Sequence, residues 1–112
     1  RRSMFLVGTL RVSLYLPSSH GLKEKRAPLK RILQQLRNRF PCSCSETGGQ
    51  DLHQRAEIGV AVAASDSVIL EKVIQDIEQF VQVNPDFQVL DIAREVWKSN
   101  GESSWPRADR NA

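Results

Sequence analysis

Cys42 and Cys44 with one residue between them, His20 and His53, and a run of basic side chains between residues 22 and 39 are the groups in this chain that could do chemistry. The cysteines match neither a zinc site nor a redox pair, which place two or more residues between paired thiols. Neither histidine comes with a spaced set of Cys, His or carboxylate partners. On an extended strand both thiols would point to one face, side by side, which is poor geometry for a disulfide. They read as small, half-buried packing residues of a protein in a reducing compartment, and the histidines as surface or turn residues. No nucleophile motif surrounds any serine, and Gly8, Gly21, Gly48, Gly49 and Gly59 form neither a dinucleotide fingerprint nor a phosphate loop. The expectation is no enzyme, no cofactor and no metal.

The basic run is the sharper signal. Lys23, Lys25, Arg26, Lys30, Arg31, Arg37 and Arg39 stand against the single acid Glu24, whereas residues 66–78 carry Asp66, Glu71, Asp76 and Glu78 against Lys72. At 3.6 residues per turn Lys23, Arg26, Lys30 and Arg37 line one flank of a helix. Such a flank can track phosphates with salt-dependent, sequence-independent affinity, and Lys23, Lys25, Arg26, Lys30 and Arg37 are the candidate anion or RNA contacts. The same residues would equally serve as a solvated face whose long side chains cover the core edge and pair with neighbouring acids. A second cluster, Gln50, Asp51, Gln54 and Arg55, falls in a loop, where binding residues concentrate. There too Asp51 and Gln54 could simply satisfy turn groups, and Arg55 could pair across a sheet.

These groups need a scaffold, and its period is legible. Met4, Leu6, Leu10, Val12, Leu14 and Leu16 alternate with Thr9, Arg11 and Ser13, the pattern of a strand with one buried face, ended by Pro17. From residue 22 to 40 the period turns helical, with Leu22, Leu29, Leu33, Leu36 and Phe40 as the apolar stripe and Ile32 at its edge. Gly21 or Ser19 would cap that helix, Glu24 stands at capping-box spacing, and Pro28 should bend it. Residues 42–47 read as a short polar strand, Gly48–Asp51 as a turn, and Arg55–Ala64 as a strand, together a hairpin. Asp66 would cap a second helix facing the core with Ile69, Val73, Ile77, Phe80 and Val81, stopped by Asn84-Pro85-Asp86. Phe87–Lys98 forms the last strand, with Leu90, Ile92 and Val96 facing one way. Residues 99–112, with Trp105, read as a flexible tail, and Arg1, Arg2 and Ser3 are given no structural weight.

The chain has 112 residues, enough for one core, with 40% apolar and 26% charged residues and a formal net charge of +3. The order β-α-β-β-α-β specifies an α+β, ferredoxin-like split βαβ fold over residues 4–98. Right-handed crossovers place two helices on one face of a four-stranded antiparallel sheet. No apolar stretch reaches bilayer length, and the apolar start at Met4 soon meets Arg11, so neither membrane nor leader is expected and the reading is cytoplasmic.

Several stretches together carry a resemblance. Val7-Gly8-Thr9-Leu10-Arg11-Val12, Leu22-Lys23-Glu24-Lys25-Arg26, and Gln50-Asp51-Leu52-His53-Gln54-Arg55 running into Ile58-Gly59-Val60-Ala61-Val62 resemble the YlxP-like family of bacterial proteins. The resemblance covers roughly residues 4–98 and implies a ferredoxin-like domain of unknown function. Gly21 and His53 depart from the Ser and Trp usual in that family. Its genes often neighbour those of translation initiation and ribosome-maturation factors, which implies a partner near the ribosome: ribosomal RNA or a ribosomal protein.

The sheet face away from the helices should carry Phe5, Val7, Thr9, Arg11, Ser13 and Tyr15 from the first strand, and Glu57, Gly59, Ala61 and Ala63 from the third. RNA-recognition domains of this topology stack bases on aromatics of their central strands. The third strand has none, so any RNA contact is expected on the first helix. A flat face of Gly, Ala, Val and Thr suits packing on another sheet or subunit, hence a homo-oligomer, though it would also serve as an ordinary solvated face.

Overall fold

The computed structural model describes residues 4–99. Arg1–Ser3 and the expected tail, apart from Ser99, lie outside the described residues. The elements run β1 (Leu6–Tyr15), α1 (Leu22–Arg39), β2 (Ser43–Gly48), β3 (Arg55–Ala64), α2 (Ser67–Gln82) and β4 (Gln88–Lys98). The strands form one antiparallel sheet in the order β2-β3-β1-β4, with β1 and β3 central. This is the α+β, ferredoxin-like arrangement that the order of periods specified. The core lies between one sheet face and the two helices, with α1 over β2 and α2 over β1, β3 and β4.

The even residues of β1 are buried, Leu10, Val12 and Leu14 almost completely, and they meet Ile58, Val60 and Val62 of β3 in the same layer. Each such side chain contributes about 1.5–3 kcal/mol by leaving water. Gly8 sits in this layer because α2 leaves no room above it. A Cβ there would stand 3.0 Å from both Ile74 Cδ1 and Leu70 Cδ1.

Both helical stripes differ from the expected ones by a small rotation. In α1 the buried residues are Lys25, Leu29, Ile32 and Leu36, Leu33 is only partly covered, and Leu22 is exposed. In α2 they are Leu70, Ile74, Ile77 and Val81, while Ile69 is 48% exposed. Apolar residues outnumber the positions the sheet can cover, and the layer of β1 and β3 side chains selects which subset goes under. Pro28 lies inside α1, which runs through it unbroken. Gly21 is the N-cap of α1 and no side chain caps it, whereas Asp66 caps α2 by accepting from the Ile69 N–H at 2.9 Å.

β4 corrects the expectation for Leu90. Its pairing with β1 shifts between Ser13 and Leu14, so that Ser13 faces Asp91 and Leu14 faces Val89. Leu90 is the extra residue of a bulge and is 43% exposed, while Val89 and Ile92 pack on the core. Val96 at the far end is also half exposed. Beyond Lys98 the ladder continues one step, where the Ser99 N–H donates to the Phe5 carbonyl at 2.9 Å and the Phe5 N–H to Ser99 Oγ at 2.8 Å. The helices meet through Phe40 and Phe80, edge to face at 5.7 Å, with the Arg39 guanidinium 4.8 Å from the Phe80 ring centre. Among the described residues no helix is long and apolar enough to cross a membrane.

Candidate functional site

Geometry divides the basic residues of α1 into two sets. Lys25 is a correction: it is 3% exposed and faces inward, and it is not available to an anion in solvent. Its ammonium donates to the backbone carbonyls of Gly49 at 2.8 Å, Leu52 at 2.8 Å and Arg55 at 3.1 Å. An ammonium has three N–H donors, and all are then spent. Glu46 Oε2, 3.2 Å away, is held by charge alone, which is why this buried oxygen has no hydrogen-bond donor of its own. Arg31 pairs with Asp86 at 3.1 Å, Arg39 covers Phe80, and Arg37 donates to the carbonyl of Cys44 on β2 at 2.8 Å. Lys23, Arg26 and Lys30 remain exposed and pair with no acid among the described residues.

The three share a face by spacing, and that face borders β2. Arg37 lies on the same line of the helix and reaches the Cys44 carbonyl, which fixes the side. The acids of α2, by contrast, are largely occupied. Glu71 and Glu78 both accept from Arg94 of β4, at 2.7 and 3.0 Å, and Asp76 pairs with Lys72. The Arg94 hydrogen bond holds the Glu71 carboxyl below the usual carboxylate range, and Glu71 in return, followed by Glu78, raises Arg94. Surplus positive charge therefore gathers on α1.

The candidate loop lies beside this helix because Lys25 ties its backbone there. Gln50, Asp51 and Arg55 are exposed and Gln54 is half-buried. Their side chains make no hydrogen bond or ion pair among the described residues, so they are not spent on the turn. Gly49 makes the turn with φ +73°, a conformation that favours glycine. His20 and His53 are exposed, and no group of three or more His, Cys, Asp or Glu that could hold a metal ion occurs among the described residues.

Cys42 and Cys44 both lie under α1 as free thiols, their Sγ atoms 3.5 Å from the carbonyls of Leu36 and Leu33. Burial, then the neighbouring Cys44, pushes Cys42 up to about 11; burial likewise raises Cys44.

The open face carries the expected side chains. Register adds Asp91, Ala93, Glu95 and Trp97 from β4, opposite Ser13, Arg11, Thr9 and Val7. Trp97 gives this face an aromatic, on its edge strand rather than on the central pair. A concavity of about 390 Å³ lies across the face, floored by Gly59, Ala61 and Ala93 and rimmed by Arg11, Glu57 and Glu95. Gly59 is required there by the β2 bulge. Pairing shifts between Glu46 and Gly48, Thr47 is the extra residue, and a Cβ on Gly59 would stand 2.8 Å from its methyl.

The model of a family described as "Protein of unknown function (DUF503)" matches residues 7–94, which spans every element from β1 into β4. The chain is a member of this family. A curated relative in Bacillus subtilis (strain 168), the uncharacterized protein YlxP, is 37% identical over 92 residues, covering 82% of this chain and 99% of the relative. The matched segment contains both α1 and the loop at 49–55, and the family description assigns no activity to either.

Proposed function

We propose that this DUF503 protein is a non-catalytic accessory factor that binds a polyanion, specifically RNA, through Lys23, Arg26 and Lys30. One observation carries the reading. Every other basic side chain of α1 is engaged within the molecule, while these three share a face and are left to solvent. Three cations spaced along two turns match the repeating charge of a phosphate backbone, and releasing condensed counterions would drive the association. The adjoining loop offers Gln50, Asp51, Gln54 and Arg55 for contacts beyond phosphate. Ribosomal RNA is the partner this reading favours, in the cytoplasm.

Titrating a fluorescently labelled single-stranded RNA with protein across a salt series tests it. Binding should weaken linearly on a log–log plot, and changing Lys23, Arg26 and Lys30 together to Ala should flatten the slope by about 2, at roughly 0.7 per phosphate released. Lys72→Ala should leave the slope alone, because Lys72 is paired with Asp76. A slope near zero, or one that the triple change does not move, overturns the reading.

A second reading is favoured by the open face, whose floor of Gly59, Ala61 and Ala93 neither helix covers. There the domain would serve as an oligomerising module that meets protein rather than RNA.

A further inference from the structure

Resting on that second reading, the register of the sheet points to a particular partner. Along β1 and β3 the open-face neighbours are Val7 with Ala63, Thr9 with Ala61, Arg11 with Gly59, and Ser13 with Glu57. At each of these levels at least one member is small; at the fifth, Tyr15 with Arg55 at the end of the ladder, neither is. We propose that this face is a two-fold interface between two copies of the chain, with β1 of each laid over β3 of the other.

A two-fold axis parallel to the strands, between the sheets and midway between β1 and β3, sets each residue over the register partner of its own level in the other copy. Val7 comes over the partner's Ala63, Thr9 over the partner's Ala61, and Arg11 over the partner's Gly59. Long thus meets short at successive levels, as aligned sheet packing requires. The concavity of about 390 Å³ above Gly59 and Ala61 is then the space that the partner's Arg11 enters. β4 falls over β2, so Glu95 meets the hydroxyl of the partner's Ser43. Trp97 comes to a second hollow, about 440 Å³, that Val7, Pro41, Ala61 and Ala63 line in the other copy.

Charge agrees with this arrangement. Arg11 and Glu95 make no ion pair among the described residues, and Glu57 holds only the hydroxyl of Thr47. Seated over Gly59, Arg11 lies one level from the partner's Glu57, and the axis repeats that pair. Strands of ten, six, ten and eleven residues cover about 580 Å² of this face per subunit at standard spacings. Two such faces bury about 1,150 Å² together, above the roughly 1,000 Å² a specific interface needs.

Sedimentation equilibrium of the full chain should show a dimer. Ala61→Arg, at an exposed position that does not enter the core, should raise the dimer Kd at least ~30-fold, as should Trp97→Ala. Arg11→Glu should weaken it too, and Arg11→Glu with Glu57→Arg should restore it, an outcome that a damaged fold would not give. The register has its own readout. An Arg11→Glu protein and a Glu57→Arg protein, each with like charges facing across its own interface, should pair with one another when mixed, because both Arg11–Glu57 contacts between copies are then complementary. A wild-type chain that stays monomeric overturns the second reading and this geometry together. A dimer that survives Ala61→Arg and shows no preference for that mixed pairing overturns this arrangement alone and leaves self-association standing.

Discussion

Lys25 shows how much one side chain can decide. Its ammonium is buried against three carbonyls and the Glu46 carboxylate. Removing the cation leaves those acceptors dry and the partly buried Glu46 carboxylate without a counter-charge. Lys25→Met should therefore destabilise the protein by about 3–5 kcal/mol in urea unfolding, and adding Glu46→Gln should recover part of that loss. If Lys25→Met were nearly neutral, the clamp would not matter. The position of Lys25 was legible. At about 100° per residue it lies about 200° from Lys23, on the same side as Leu29, Ile32 and Leu36. A helical count of basic residues hides this, and only the angle separates the buried lysine from the exposed three. Its partners were not legible, because backbone carbonyls leave no trace in residue type. The thiols give a second test at this scale. With Cys42 raised to about 11 and Cys44 also raised, both favour the protonated form in the folded protein. Whatever stability this brings is complete below the unfolded value of 9.0 and is lost as pH rises through about 11. At pH 8 iodoacetamide should modify them slowly in the native protein and quickly in denaturant.

At the scale of elements, strand periods survived folding and helical ones shifted. β1 buries the alternating set that its sequence displays, because a period of two offers only two faces and the wrong one carries Arg11. A helix offers a continuous range of rotations, so Leu22 and Ile69 could be exposed at the gain of Ile32 and Ile74 without breaking any pattern. Bulges were out of reach for another reason. Leu90 and Thr47 leave the ladder where the pairing with the neighbouring strand shifts, and a single strand's alternation does not record its pairing. The Thr47 bulge makes a steric prediction. Gly59→Ala places a methyl 2.8 Å from Thr47 Cγ2 and should cost about 1–3 kcal/mol. Combining it with Thr47→Ser removes that methyl while keeping a hydroxyl for Glu57, and should restore most of the thermal midpoint. A double variant as unstable as Gly59→Ala would place the strain elsewhere.

Across the whole molecule the charges sort by side. Arg94 draws Glu71 and Glu78 onto β4, α2 pairs Lys72 with Asp76, and α1 keeps three cations unspent. Folding lowers the Glu71 carboxyl below its ordinary value of 4.5, so the stability from this contact is present above that pH. It is lost as pH falls through the lowered folded value. Arg94→Ala should thus lower the melting temperature slightly at neutral pH and make the further loss of stability on acidification shallower. An unchanged acid limb would remove Glu71 from the account. The fold and the basic helix were legible in period and composition, whereas the division between engaged and unspent cations depends on contacts between elements far apart in the chain.

The clamp on the 49–55 segment has a consequence for variation. Lys25 grips Gly49, Leu52 and Arg55 by main-chain oxygens, which every amino acid possesses. The shape of that segment is thus decoupled from the identity of its side chains, Gly49 with its φ of +73° excepted. Positions 50, 51, 53 and 54 can be rewritten at little thermodynamic expense, so that homologous chains could display different recognition chemistry on one frame. A library randomised there should fold as well as the parent, and the same library in a Lys25→Met background should not.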